Sequence, residues 1–144
     1  NAYHMRFPNS YFDAVIGSSV LHHLEVEKAL SEIYRVLKPK GRLCFTEPNM
    51  LNPQIALQKN IPWLKEKSGD SPDETAFFRW ALNKKLLEAE FSNVEIIPFD
   101  FLHPQIPENM LSVMEGFCLK LEKVPFIKQI AGSLFIQARK FHEI

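Results

Sequence analysis

Cysteine is scarce in this chain: Cys44 and Cys118 are the only two in 144 residues, each in an apolar context and far apart. With no C-x-x-C pair and no set of four or more, neither a disulfide framework nor a thiolate metal site can be built, and a reducing, cytoplasmic setting fits. An excess of one charge is missing too. Seventeen Lys and Arg stand against 17 Asp and Glu, giving a formal net charge of zero without a basic run, so no nucleic-acid partner is expected. No apolar stretch approaches the ~20 residues of a membrane helix, and no charged-then-apolar leader opens the chain, so no membrane partner is expected either. Glycine is equally sparse. The five glycines (Gly17, Gly41, Gly69, Gly116 and Gly132) never fall at G-x-G spacing. No glycine-rich ligand loop can come from these residues.

What is there reads as alternating strands and helices. Phe12 to Ser18 (FDAVIGS) is a nearly continuous apolar run entered from a Pro8-Asn9-Ser10 turn, as suits a strand buried in a parallel sheet. From Glu25 to Leu37 the apolar residues Val26, Ala29, Leu30, Ile33 and Leu37 form one helical stripe, with acids in the first turn and bases at the end. Pro39 and Gly41 stop that helix, and Arg42 to Thr46 (RLCFT) makes a second strand, completing a βαβ crossover. Residues 48–73 carry Pro48, Pro53, Pro62 and Pro72 and a Gly69-Asp70-Ser71 turn, and read as an irregular or short-helical insertion over one end of the sheet. A helix is expected from about Thr75 to Glu90. Further elements are a strand from Val94 to Phe101, with a bulge or sheet edge at Pro98, a broad-faced helix from Glu108 to Leu121, and a last strand from Ser133 to Lys140 (SLFIQARK). The aromatic group Trp63, Phe77, Phe78 and Trp80 is expected to pack in the core or a lid rather than to form a substrate box.

FDAVIGSSVLHHL followed by ALSEIYRVLKPKGRLCFTEPN resembles the second half of the class I S-adenosylmethionine-dependent methyltransferases, in which a strand ending near LHH, a helix ending RVLKPGG and a strand ending in an acid follow one another. LEKVPFIKQIAGSLFIQARK is similar to that family's closing reverse hairpin, so the resemblance covers nearly the whole chain. It implies an α/β fold, a partial Rossmann-like, doubly wound methyltransferase sheet. Its strands would be four to seven of the family's seven, the last of them antiparallel. Within one partial domain, residues 1–47 would form the βαβ core and cofactor-cleft wall, 48–73 an insertion or lid, and 74–144 the C-terminal helices and hairpin.

The departures are as informative as the match. The glycine-rich loop and the ribose-holding acid of the family have no counterpart here, and Lys40 stands where the family has the first glycine of its motif. Asn1-Ala2 resembles the dipeptide that contacts adenine just after the third strand, ahead of Met5-Arg6-Phe7-Pro8. The N-terminal half of the fold is therefore expected to be missing from this stretch, which opens on Asn1 and reads as the middle of a gene. These residues alone are expected to bind S-adenosylmethionine weakly or not at all. The first strand would offer an open, flat apolar edge, a place for self-association or another chain.

The resemblance nominates Asn1, Ala2, Gly17, Ser18, Ser19 and His23 for cofactor contact. Gly17-Ser18-Ser19 suits close backbone approach to a ligand or, equally, a tight turn. His23, His22 and Glu47 are the candidates for taking or orienting an acceptor proton; alternatively a histidine caps the strand-to-helix joint and Glu47 only bonds the Pro48-Asn49 turn. A metal site is not expected. Adjacent histidines on a helix diverge by roughly 100 degrees and lack the i, i+4 separation of a shared metal. The expected function is methyl transfer from S-adenosylmethionine to a small, partly hydrophobic acceptor, with residues 48–73 and 108–121 forming its pocket. The rival readings are a non-catalytic methyltransferase-like partner subunit or binding module and a different doubly wound nucleotide-binding protein.

Overall fold

The computed structural model describes residues 1–67, 69, 71, 74–102 and 106–141. Asp70 and Pro72 of the expected insertion, and His103 and His142, lie outside the described residues.

The two periodicities of the sequence become one mixed sheet with helices against it. Strands β1 (Phe12–Ser18), β2 (Leu37–Pro48), β3 (Phe91–Phe99) and β4 (Ser133–Lys140) lie in the order β1-β2-β4-β3. β1 runs parallel to β2, and β4 runs antiparallel to both of its neighbours. Alternation selects the buried face: Leu43, Phe45 and Glu47 of β2 and Leu134, Ile136 and Ala138 of β4 point inward. Against that face lie helices α1 (Val26–Val36) and, after two short helices α2 (Pro53–Asn60) and α3 (Pro62–Lys67), α4 (Arg79–Glu88). Ala29, Leu30 and Ile33 of α1 meet Leu82 and Leu86 of α4 in the core. Beyond β3, a 3-10 turn (Glu108–Met110) leads into α5 (Leu111–Leu121), and α6 (Pro125–Lys128) precedes β4.

α1 stops at Val36, where the chain turns straight into the sheet, Leu37 pairing with Phe12. Lys140, the last residue of β4, donates to the carbonyls of Tyr34 and Leu37 at 2.7 and 2.8 Å and so caps the helix from across the sheet. Lys40 takes φ +65°, a left-handed conformation that glycine adopts more cheaply. In the same last turn, the Arg35 guanidinium bonds Glu32 and donates to the carbonyls of Met5 and Phe7. It thereby fastens the segment before β1 to α1.

Four expectations are corrected. The second strand runs Leu37–Pro48 rather than Arg42–Thr46, so Pro39 and Gly41 lie inside it and the helix ends before them, at Val36. The fourth helix begins at Arg79 rather than near Thr75, because Phe77 is held extended against the end of β2: its N–H donates to the Pro48 carbonyl and its carbonyl accepts from Met50 N–H. The third strand runs Phe91–Phe99 rather than Val94–Phe101. Pro98 sits within it because β3 is an edge strand, while the bulge falls between Ser92 and Glu95, at Asn93 with φ 50°. Of the four aromatics, Phe77 alone joins the core; Trp63, Phe78 and Trp80 are exposed, with Phe78 and Trp80 stacked on each other.

Candidate functional site

The carboxyl ends of β1 and β2 carry the polar chemistry. After Ser18 the chain turns sharply, Ser19 taking φ 51° and donating its N–H to the Thr46 carbonyl at 2.7 Å. It then enters the 3-10 turn Leu21–His23. Glu47 explains why the turn forms. Its carboxylate, the side chain fully buried, accepts from the N–H groups of Val20 (3.0 Å), Leu21 (2.7 Å) and His22 (3.4 Å), and from His22 Nδ1 at 2.7 Å. One acid thus satisfies the orphan donors of the turn and a buried imidazole at once. Because a carboxylate oxygen can only accept, Nδ1 of His22 carries a proton, which in the neutral tautomer leaves Nε2 as the acceptor nitrogen.

Beside this turn lies a cavity of about 450 Å³. Ser19 and His22 form one wall and the residues just after β3 (Asp100, Phe101) with Gly132 and Ser133 at the entry to β4 another, while α2 covers it through Gln54, Gln58 and Lys59. α2 is placed by Asn52, whose side chain accepts from the N–H groups of Gln54 and Ile55 and donates to the Ile130 carbonyl at 2.9 Å. Asn49, fully buried, donates to the carbonyls of Gln129 and Ala131 at 2.9 and 2.8 Å, tying the end of β2 to the turn before β4.

The nominated residues are distributed unevenly around this geometry. Ser19 and His22 line the cavity. Ser18 faces β2, its hydroxyl accepting from Thr46 Oγ1 at 2.8 Å. Gly17 sits opposite Phe45, and a Cβ there would lie 2.2 Å from the ring, so its smallness serves internal packing. Asn1 and Ala2 belong to an N-terminal turn in which Asn1 Oδ1 accepts from Tyr3 N–H. Glu47 lies behind the turn and holds it. His23 points to Glu74, Nδ1 to Oε1 at 2.9 Å, and Lys59 Nζ stands 3.5 Å from Oε2. The expected divergence of the two imidazoles is corrected: their centroids are 4.0 Å apart with planes tilted by 37°, because two different carboxylates draw the rings back together.

Asp100, Gln54, Gln58 and Lys59 were not reached from the sequence. A faint signal exists in the last three: Asn52-Pro53 is a helix start, and Gln54 and Gln58 then share one face at i, i+4. Asp100 gains its place from a positive φ of 67° after β3, which no local pattern announces.

Comparison with known proteins agrees with this architecture. Residues 1–45 match the family described as "Methyltransferase domain". A probable polyketide synthase 14 of Dictyostelium discoideum is 31% identical over 108 residues, 68% of this chain and 4% of that protein. The demethylmenaquinone methyltransferase of Thermobifida fusca is 33% identical over 85 residues, 54% of this chain and 36% of its own. A crystal structure of an S-adenosylmethionine-dependent methyltransferase, possible histamine N-methyltransferase, from Thermotoga maritima superposes with a TM-score of 0.70 at 19% identity, covering 96% of this chain and 61% of that one. At that identity the likeness is one of fold. The chain spans less than two thirds of the length of each of these three proteins.

Proposed function

We propose that this methyltransferase-like chain supplies one wall of an S-adenosylmethionine cleft and takes part in methyl transfer to a small acceptor held in the cavity beneath α2. The observation that carries the reading is the position and lining of that cavity. It lies at the carboxyl ends of parallel strands, where doubly wound sheets place ligands, and its wall offers an imidazole, a carboxylate, an ammonium and three carboxamides. The lining mixes these groups with Pro48, Ile55 and Phe101, which suits a small acceptor that is partly hydrophobic and carries hydrogen-bonding groups.

The residues present fit one side of the cofactor: Ser19 turns away sharply enough to leave room, and the Asp100 carboxylate offers a counter-charge to a sulfonium. β1 ends the sheet among the described residues, its outer edge open to a further strand, and the opposite wall of the cleft is assigned there, from the same protein or from a second copy. The bound cofactor supplies an activated methyl group with a neutral thioether as its leaving group. The chain's own task is to hold the acceptor in line and to exclude water. His22 is the acceptor-side base when the acceptor is a hydroxyl. In the neutral ring the Nδ1–Glu47 bond places the proton on Nδ1 and leaves Nε2 to accept, and a base so positioned contributes about 10²–10⁴-fold. Glu47 acts through His22 as a positioning residue.

Titration of the full-length protein carrying this chain with S-adenosylhomocysteine, followed by turnover with methyl-labelled S-adenosylmethionine and a panel of small hydroxyl acceptors, tests the reading. Saturable binding is expected, with acceptor-dependent label transfer that falls about 100-fold in His22→Gln while binding is kept. Absence of binding to either adenosyl compound overturns the reading. Binding without transfer to any acceptor overturns the catalytic part and favours a non-catalytic module.

A further inference from the structure

Two imidazoles 4.0 Å apart, each held by its own carboxylate, are more than a capping arrangement requires. One ligand atom from each of His22, His23 and Glu74 lies within 4.8 Å of the others. Two imidazole nitrogens with one carboxylate oxygen form a donor set for zinc and other late first-row divalent ions, whereas calcium and magnesium prefer all-oxygen surroundings. With bonds of ~2.0–2.1 Å the donors in a tetrahedral site stand roughly 3.3 Å apart, so the group needs to contract by about 1.5 Å. The His23 side chain, 45% exposed, has the freedom to make that movement.

The surroundings already resemble the outer layer of a metal centre. Glu47 bonds Nδ1 of His22 and fixes its tautomer, as carboxylates do behind metal-bound histidines, leaving Nε2 as the donor. Around Glu74, His23 Nδ1 and Ser71 Oγ (3.0 Å) share Oε1, and Lys59 stands 3.5 Å from Oε2. An ion displaces the first of these contacts and competes with the charge of Lys59, which sets an upper limit on its affinity.

We propose that His22, His23 and Glu74 form a binding site for a late first-row divalent cation, zinc being the reference ion. Three protein ligands leave a tetrahedral ion one open position, and because His22 lines the cavity the ion sits at the cavity margin. It also ties the 3-10 turn after β1 to the segment entering α4. The site stands on geometry alone; an ion on Nε2 takes up the lone pair assigned above to the base, so His22 serves as one or the other, never both at once.

The test uses the full-length protein, stripped with a chelator and free of adenosyl compounds, titrated at neutral pH with zinc by calorimetry and with cobalt by visible absorption. One equivalent per chain is expected at micromolar affinity, with the d–d bands of four-coordinate cobalt. His23→Ala and Glu74→Ala should each weaken binding by about 100-fold or more, and Glu47→Gln by about 10-fold. His4→Ala, at an exposed histidine elsewhere, should leave it unchanged. His23 is partly exposed and outside the core, so its variant reports on binding even where Glu47→Gln fails to fold. No saturation below millimolar zinc, or one-equivalent binding that survives both His23→Ala and Glu74→Ala, overturns the proposal.

Discussion

Residues 12–49 and residues 108–130 are built from similarly apolar sequence and end in opposite states. In the first, Leu21, Leu30, Val36, Leu37 and Leu43 are fully buried, and the polar groups that join them inside, Glu47 and Asn49, are hydrogen-bonded. In the second, Val113, Phe117, Leu119 and Phe126 are 75, 55, 53 and 90% exposed, with Cys118 buried. Apolar content alone therefore does not tell where stability resides; what the stripe finds to pack against does. The wall of the cavity is the stable part, and substitutions there should cost far more than equal ones in α5.

The largest effect should come from Glu47→Ala. It strips three backbone N–H groups and the His22 ring of their acceptor in a buried place, and such groups cost about 1–3 kcal/mol each when orphaned, with incomplete additivity. A loss of about 4 kcal/mol is expected in denaturant unfolding, and Glu47→Gln, which keeps one acceptor oxygen, should recover about half. A loss below ~1 kcal/mol would show that water replaces the carboxylate and that the turn is not anchored as described.

Next comes Gly17→Ala. The added Cβ meets the buried Phe45 ring at 2.2 Å, and because the strands are paired there the ring must move, at about 1–3 kcal/mol. The double variant Gly17→Ala with Phe45→Leu should lose less than the two single changes sum to. Strict additivity would remove the packing account of Gly17 and return it to the ligand.

These two residues mark how far the sequence could be read. The order of strands and helices was legible because the periods are strong: the final strand was expected at Ser133–Lys140 and is found there, and the β1-α1-β2 unit follows its stripe. The helix start at Arg79 was hidden, because Phe77 is tied to β2 by backbone bonds that leave no mark on side-chain pattern. The site was half legible. LHH and Glu47 stand out as polar residues in apolar company, but their division into a buried anchor, a cavity-lining ring and a ring turned to Glu74 depends on contacts more than 20 residues apart. Asp100 and Lys59 reach the cavity through the meeting of separate loops, which no short window contains.

A subtler difference should appear in acid. The Arg35 guanidinium, and to a lesser degree the Met5 N–H, hold the Glu32 carboxyl at about 2, well below its ordinary 4.5, against a burial that pushes it up. A folded-state value below the unfolded one means that the unfolded chain binds more protons between them, so stability rises with pH in that interval. The contribution is complete above about pH 4.5 and is lost as pH falls through about 2. In Glu32→Gln the acid limb of a stability-against-pH curve should be shallower across that window, with unchanged slope above pH 5. An unaltered acid limb would place the pairing of the N-terminal segment with α1 outside the folding transition.

The smallest effect tests the other side of the comparison. Phe117 lies on α5 with more than half of its surface in water, so truncation to Ser removes little buried area and leaves no cavity. Serine and phenylalanine have nearly equal helix propensity, so the exchange adds almost nothing there. Unfolding free energy should therefore shift by no more than ~0.5 kcal/mol, against about 3 kcal/mol for Leu30→Ala in the fully buried stripe of α1. Solubility should rise, since an exposed aromatic is replaced by a polar group. A loss near 2 kcal/mol at Phe117 would mean that the ring is covered in solution, and the same variant examined by analytical ultracentrifugation would then show whether the cover is a second copy of the chain, because dissociation would accompany the loss.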